Sequence, residues 1–406
     1  SPATGGADAD WKRLAVAVRS LADAAAGDDS AVRAVALRFA DAARAEIQRL
    51  SDANQLPGGV DAETRLYRRL ISEALYRFVA NDIALAGPGP SGFRRLPYPP
   101  ERTLADGSGN ILDKCALLAA LLNRADVPGI DLVYARPVSS SVLLPIAAHL
   151  AQFDLCCVRI ADPDIRLYPS DGKRRYGELP SALQGAEGLA IRWAGEPDGE
   201  RIRIQERPIE TEMSTLAIHI RIQPDGSMTA DATRFATGES AVGMRRLGDL
   251  SVAELDKSMR ERVTRIASGA SLLSYAVSDF SGCNEREFIA YQYGVDEYCI
   301  RAGDRAIALK IPELDGIAGG DATAAGLPDS MRDQPLRFNA RECQRVEISL
   351  TAPDGYRIAA TPESATQTGD GYSFIAATEI TTTGESQTLT LTVEYERMAL
   401  LIDRPG

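Results

Sequence analysis

The sequence predicts an α+β fold in two parts: a helical N-terminal half that closes on an antiparallel sheet, and a C-terminal half built mostly of strands. Three observations predict it. Apolar residues recur at helix spacing as far as about residue 125, the periodicity falls to two from about residue 130, and turn signals then separate short alternating segments to the end of the chain.

Residues 11–25, 31–53 and 61–84 each carry apolar side chains at helix spacing, and in the third Leu66, Leu70, Ala74 and Phe78 lie along one stripe. Leu56-Pro57-Gly58-Gly59 breaks the second segment from the third. A Pro- and Gly-rich passage over 87–100 leads to Asp106-Gly107-Ser108-Gly109-Asn110, which reads as a loop ending in a helix cap at Ser108 or Asn110. The helix that follows, 111–125, is apolar nearly all round, with Cys115, Leu117, Leu118, Leu121 and Leu122, and such a helix belongs in the interior. Residues 130–135, 153–160, 165–168 and 189–193 read as strands.

Beyond residue 200, Leu216, Ile218, Ile220 and Ile222 alternate with polar residues and run into the turn Pro224-Asp225-Gly226-Ser227. One helix over 251–267 opens with Ser251 and Glu254 at capping-box spacing. Strand and turn then alternate to the C-terminus, around a Gly- and Ala-rich loop at 316–326, the pattern of a β-sandwich. The predicted boundary divides residues 1–205 from a β-rich part, 206–406, with 251–267 as its inserted helix.

A chain of 406 residues that is 45% hydrophobic buries an ordinary core and favours two or three domains. Its net charge of -12 argues against nucleic acid as a partner, because that affinity is built from clustered Lys and Arg. No apolar stretch approaches the roughly 20 residues needed to cross a bilayer. Six cysteines contain no CxxC pair and do not make a disulfide framework, though Cys283 with Cys299 is a candidate bridge under oxidising conditions. Ser1 in the place of methionine, with no leader pattern after it, is expected of a processed or cut chain.

Two histidines, His149 and His219, restrict the available chemistry. His219 stands among the outward positions of its strand, and His149 lies in an apolar passage that favours a structural or surface role. No histidine and cysteine spacing fits zinc. Gly238-Glu239-Ser240-Ala241-Val242 resembles a nucleophile elbow but has Val242 where a glycine must allow the tight turn. Ser170-Asp171-Gly172-Lys173 matches SxxK only in a turn, and Asp106, Ser108 and Asn110 begin a calcium loop whose bidentate acid is replaced by Leu117. Neither a P-loop nor a dinucleotide fingerprint occurs, so no cofactor is expected.

Three stretches nonetheless form a pattern: Tyr76-Arg77-Phe78-Val79-Ala80-Asn81-Asp82-Ile83, Pro97-Tyr98-Pro99-Pro100-Glu101-Arg102-Thr103-Leu104, and Gly109-Asn110-Ile111-Leu112-Asp113-Lys114-Cys115-Ala116-Leu117-Leu118. Together they resemble the core of bacterial transglutaminase-like proteins of the papain-like superfamily, and most of all the DUF3857-associated subgroup. There a helix and an aromatic-rich loop precede Gly-Asp-Cys-Lys-Asp-Lys-Ala, whose cysteine opens the buried helix. Phe153-Asp154-Leu155 and Leu167-Tyr168-Pro169 occupy the places of the family's histidine and aspartate strands. Pro335-Leu336-Arg337-Phe338, Pro353-Asp354-Gly355-Tyr356 and Thr361-Pro362 are similar to the β-rich domain that follows in the same subgroup.

The resemblance puts the catalytic cysteine position at Ile111, the histidine position at Leu155 and the aspartate position at Tyr168, and none keeps its chemistry. An acyl-enzyme route needs a thiolate and a base, so it implies a non-catalytic scaffold that binds protein or peptide. Asn110, Asp113, Lys114, Phe153 and Cys157 are the candidate cleft-lining residues, with Asp113 and Lys114 read as structural charges at the helix start. The alternative is an amide hydrolase or acyltransferase with displaced residues, Cys115 or Cys157 as nucleophile and His149 as base. The subgroup further implies a periplasmic or envelope setting and a larger exported protein with another β-rich domain ahead of residue 11.

Overall fold

The structure, a computed structural model, describes residues 2–56, 59–87, 96–138, 140, 143–144, 146–280, 287–302, 306–313, 336–338, 341–369, 371–398 and 401–402. It divides into two compact units, Ser1–Glu206 and Arg207–Gly406.

The first unit opens with α1 (Pro2–Ala25), α2 (Ser30–Asp52) and α3 (Val60–Asn81), followed by β1 (Ala84–Leu85), α4 (Pro100–Asp106), β2 (Ser108–Gly109) and α5 (Ile111–Arg124). Five strands complete it: β3 (Ile130–Ala135), β4 (Leu155–Ala161), β5 (Asp164–Leu167), β6 (Glu187–Arg192) and β7 (Gly199–Arg203). They form an antiparallel sheet in the order β5-β4-β3-β6-β7.

Helix α5 is the axis of this unit. Every residue from Leu112 to Ala119 is buried, because the helix lies against β3 and β4 on one side and against α2, α3 and α4 on the others. Its all-round apolar sequence requires such a place. In α3 the buried stripe is Ile71, Leu75, Tyr76 and Val79, rotated one residue from the predicted Leu66, Leu70, Ala74 and Phe78. The predicted residues flank the buried stripe, and the Phe78 ring meets Phe39 of α2 at 5.4 Å.

Strand β3 is buried on both faces, so its near-continuous apolar run marks the middle of the sheet. Ile130, Leu132 and Tyr134 join the main core beneath α5, while Val133 and Ala135 join a smaller core with Leu155, Cys157, Leu179 and Leu183. The exception is Asp131, directly opposite Arg159 on β4 and Arg192 on β6, whose Nε atoms each donate to its carboxylate at 2.9 Å.

Helix α4 and strand β7 are additions to the sequence reading. Pro100 at the first helical position suits an N-terminus, so the Pro-rich passage that reads as a loop runs directly into a helix. Phe153 lies just before β4 rather than in it.

The second unit contains β8 (Met213–Ile222), β9 (Met228–Ala236), α6 (Gly238–Arg245), α7 (Val252–Ile266), β10 (Ser271–Val277), β11 (Glu287–Val295), β12 (Ile300–Ala302), β13 (Ala306–Ala308) and β14 (Leu336–Arg337). It continues with β15 (Glu342–Thr351), β16 (Ala365–Gly369), β17 (Tyr372–Thr383), β18 (Ser386–Arg397) and β19 (Leu401–Ile402). The α+β class therefore holds in both units.

Eight of these strands form one mixed sheet, β10-β11-β9-β8-β15-β18-β17-β16, rather than the two facing sheets that the strand-and-turn pattern predicts. Only the β8–β15 pair within it is parallel. The apolar alternation of Leu216, Ile218, Ile220 and Ile222 buries one face, together with Ile289, Tyr291, Tyr293, Val346, Ile348 and Leu391. Alternation reports that a face is covered without saying by what, and here α6 and α7 contribute to the cover through Ala241, Met244, Met259 and Val263. The predicted capping box, Ser251 with Glu254, opens α7. Helix α6 forms from the segment that resembles a nucleophile elbow. The loop at 316–326 lies outside the described residues.

Asn110 caps α5: its side-chain oxygen accepts from the Asp113 N–H at 3.0 Å, while Asp113 accepts from the Asn110 N–H at 3.1 Å. A Cβ on the preceding Gly109 would stand 2.8 Å from the Cβ of Asp113. Asn110→Ala is therefore expected to cost about 1 kcal/mol in urea unfolding, and Gly109→Val more than that. Equal stability of the two variants would contradict this account of the helix start.

Candidate functional site

The head of α5 is where the resemblance places a nucleophile. Ile111, the first residue of the helix, is half-buried and packs against the main core. The next two charges are consumed structurally. Asp113, 1% exposed, accepts from the Tyr98 N–H at 2.7 Å through one oxygen and from the Asn110 N–H through the other. Lys114, wholly buried, donates through Nζ to the carbonyls of Ala80 at 3.2 Å and Ile83 at 2.6 Å, and also to that of Ser170. Burial pushes the Lys114 ammonium down to about 8, against the opposing pull of Cys115 and Asp171.

The remaining candidates lie on opposite sides of the sheet. Leu155 and Cys157 belong to the smaller core, with Tyr168 packed half-buried at its margin. Burial also holds the Tyr168 hydroxyl well above the usual phenol range. On the α5 side, Phe153 is fully buried between Trp11 at 5.8 Å and Tyr134 at 6.3 Å. Cys115 sits there too, with its Sγ 3.7 Å from that of Cys156.

His149 is exposed at the start of a short 3-10 turn, and its Nδ1 accepts from the Ala151 N–H at 2.9 Å. Cys115 and Cys157 are fully buried, and burial raises the Cys157 thiol far above its ordinary value. Thiolate chemistry needs an accessible, electropositive setting, which neither thiol has. His219 is exposed on β8, opposite Asp231. Cys283 lies outside the described residues, and Cys299 is a buried thiol. Among the described residues no three His, Cys, Asp or Glu side chains are grouped to hold a metal ion, and no helix is long and apolar enough to cross a membrane.

A cavity of about 110 Å³ lies elsewhere in the first unit, among α1, α2, the approach to α4, the end of α5 and Trp193. Its apolar lining comes chiefly from Trp193, Tyr98, Pro97, Pro99, Pro100 and Val32. Its charged lining is already engaged. Arg19 donates to Asp23 at 2.8 Å and lies 5.4 Å over the Trp193 ring, Arg124 pairs with Asp29, and Glu101 accepts from the Gly27 N–H. None of Asn110, Asp113, Lys114, Phe153 and Cys157 lines this cavity. They serve instead in capping and packing. The cavity escapes sequence reading because its walls come from four separated stretches, and Pro97-Tyr98-Pro99-Pro100 is the one local signal of it.

In the second unit a polar group sits on the buried face of the large sheet. The Tyr291 hydroxyl donates to Glu313, 2.8 and 2.9 Å from its two oxygens. Burial raises the Glu313 carboxyl, against Tyr291 and the nearby Arg234 and Arg262, and burial lowers Arg262. The Tyr293 ring stacks 6.1 Å from that of Tyr291, and its buried hydroxyl has no hydrogen-bond partner among the described residues. Tyrosines two apart on an amphipathic strand share a face, which is the only trace of this group in the sequence.

No family model matches the chain, and no curated protein matches it. Among solved structures, one from Parabacteroides distasonis with a provisional protease assignment superposes at a TM-score of 0.45 and 12% identity. The match covers 92% of this chain and 53% of that one, so the chain spans about half the length of that protein. A likeness this distant carries neither fold nor function across.

The Lys114 site has a pH signature. Its folded value, about 8, lies below the ordinary 10.5, so between these the unfolded chain binds the extra proton and stability rises with pH. Relative to a Lys114→Met variant, the wild type should therefore gain stability from about pH 8 to about pH 10.5 in parallel urea titrations. Using the difference cancels the buried tyrosines, whose raised values act in the opposite sense. A pH-independent difference would mean that the ammonium is not desolvated as described.

Proposed function

We propose that this chain carries a transglutaminase-like fold that has lost its covalent chemistry and serves as a binding scaffold for protein or peptide. One observation carries the proposal. At the head of the buried central helix an isoleucine stands where a nucleophile is required, and Cys115 and Cys157 are sealed in separate cores. A covalent route needs a nucleophile, a base and access for a substrate carbonyl. Ile111, Leu155 and Tyr168 supply none of these.

Binding needs only a shaped surface with anchoring pockets. The Trp193, Tyr98 and proline cavity has the size of one side chain, with its charged lining already paired, and so suits an apolar or aromatic residue of an extended peptide. The same reading assigns the chain to a larger exported protein of the bacterial cell envelope, which fractionation of cells expressing the full-length protein tests directly.

Two measurements test the scaffold. Iodoacetamide should leave Cys115 and Cys157 unmodified in the folded protein, and Cys115→Ala and Cys157→Ala should bind peptide as the wild type does. Peptides selected by display on the wild-type chain should lose about tenfold in affinity, about 1.4 kcal/mol, on Tyr98→Ala in fluorescence polarisation. An amidase or acyltransfer activity abolished by alkylation would replace the scaffold with the displaced-residue enzyme. Retained affinity in Tyr98→Ala would move the binding surface elsewhere.

A further inference from the structure

Cys115 and Cys156 meet across the interface between the central helix and the sheet. Cys115 lies on α5 and Cys156 on β4, 41 residues later, and their two sulfurs stand 3.7 Å apart. Both are fully buried in the main core. The neighbouring Cys157 points through the sheet into the smaller core, as alternation along a strand requires. The backbone therefore selects Cys156, and not Cys157, as the partner of Cys115.

We propose that Cys115 and Cys156 form a modification site: they close into a disulfide that staples α5 to β4 when the chain folds in the presence of a disulfide oxidant. A disulfide places its sulfurs about 2.05 Å apart, so the gap to be closed is about 1.6 Å, shared between two side chains. The bond forms by exchange. One thiolate attacks the oxidant's disulfide and expels one of its sulfurs as a thiol, and the second thiolate attacks the resulting mixed disulfide and expels the other. The two protein thiols lose two hydrogens in total, and the oxidant is reduced to two thiols.

The order of events follows from burial. In the folded protein no reagent reaches either sulfur, and burial and the adjacent Cys115 both raise the Cys156 thiol, so the attacking thiolate is scarce. While the chain is unfolded both thiols are accessible and ordinary. The bridge is thus set during folding and afterwards protected by the same core from reduction. It requires no particular activity of the protein, so it stands or falls independently of the scaffold reading.

The test uses the full chain carrying Cys157→Ala, which leaves Cys156 as the only thiol in its peptide. Refolding from denaturant with oxidised glutathione, alkylation under denaturing conditions and unreduced peptide mapping should show the Cys115 peptide linked to the Cys156 peptide. The melting temperature should rise about 5–10 °C over protein refolded with reductant, and adding Cys156→Ala should abolish both link and rise. Oxidised glutathione added after folding should leave the two thiols reduced. Where refolding fails, the same mapping is done on protein secreted into the periplasm of an expression host. Alkylation of both thiols after oxidative folding, or linkage of Cys115 to any other cysteine, overturns the proposal.

Discussion

A single buried ammonium holds the first unit in its arrangement. Lys114 projects from the most deeply buried helix and, among the described residues, its Nζ hydrogen-bonds three backbone carbonyls and no carboxylate, two of them at the end of α3 and one in the segment after β5, with Asp171 acting on it only electrostatically. A cation in such a place is tolerated only when its donors are fully engaged, because the alternative is desolvation without recompense. The relation is reciprocal, since the carbonyls of Ala80, Ile83 and Ser170 each accept a hydrogen bond from the lysine. Helix α5, the exit of α3 and the chain beyond β5 therefore share one fixed point. One residue earlier, Asp113 fixes Tyr98 and the helix cap in the same way, so two consecutive charges position four segments that are remote in sequence.

This arrangement explains what the sequence could disclose. The central helix is legible because no partly exposed helix tolerates leucine and cysteine all round, and β3 because six consecutive residues suit a strand covered on both faces. A cap at Ser108 or Asn110, which the structure places at Asn110, and the Ser251 to Glu254 box are legible because capping is local chemistry. What escapes is whatever depends on a partner. Helix α3 packs against both α2 and α5, and the rule of spacing cannot rank Leu70 against Ile71 when both are apolar.

The same distinction governs the candidate site. That Asp113 and Lys114 are structural charges is readable from their place at a helix start, whereas their partners on three other segments, the Tyr98 N–H for the acid and the carbonyls of Ala80, Ile83 and Ser170 for the lysine, are not. The side of the sheet on which each cysteine lies follows from alternation, which puts Cys156 and Cys157 on opposite faces. The sequence pattern cannot say that Cys115 would meet the first of them. In the second unit, alternation correctly identifies the buried face and puts Tyr291 on it, but gives no hint that helices and Glu313 share it. Fold class is thus a property of periodicity, and site composition a property of which remote segments happen to converge.

Asp131 has a consequence for how the first sheet assembles. The strand that carries it is otherwise apolar, so hydrophobicity alone leaves its alignment with both neighbours poorly specified. A slip of one position would turn the carboxylate toward the underside of α5 and carry it away from Arg159 and Arg192 together. The acid therefore acts as an alignment key for three strands at once, penalising a mispaired sheet far more than it strengthens the correct one.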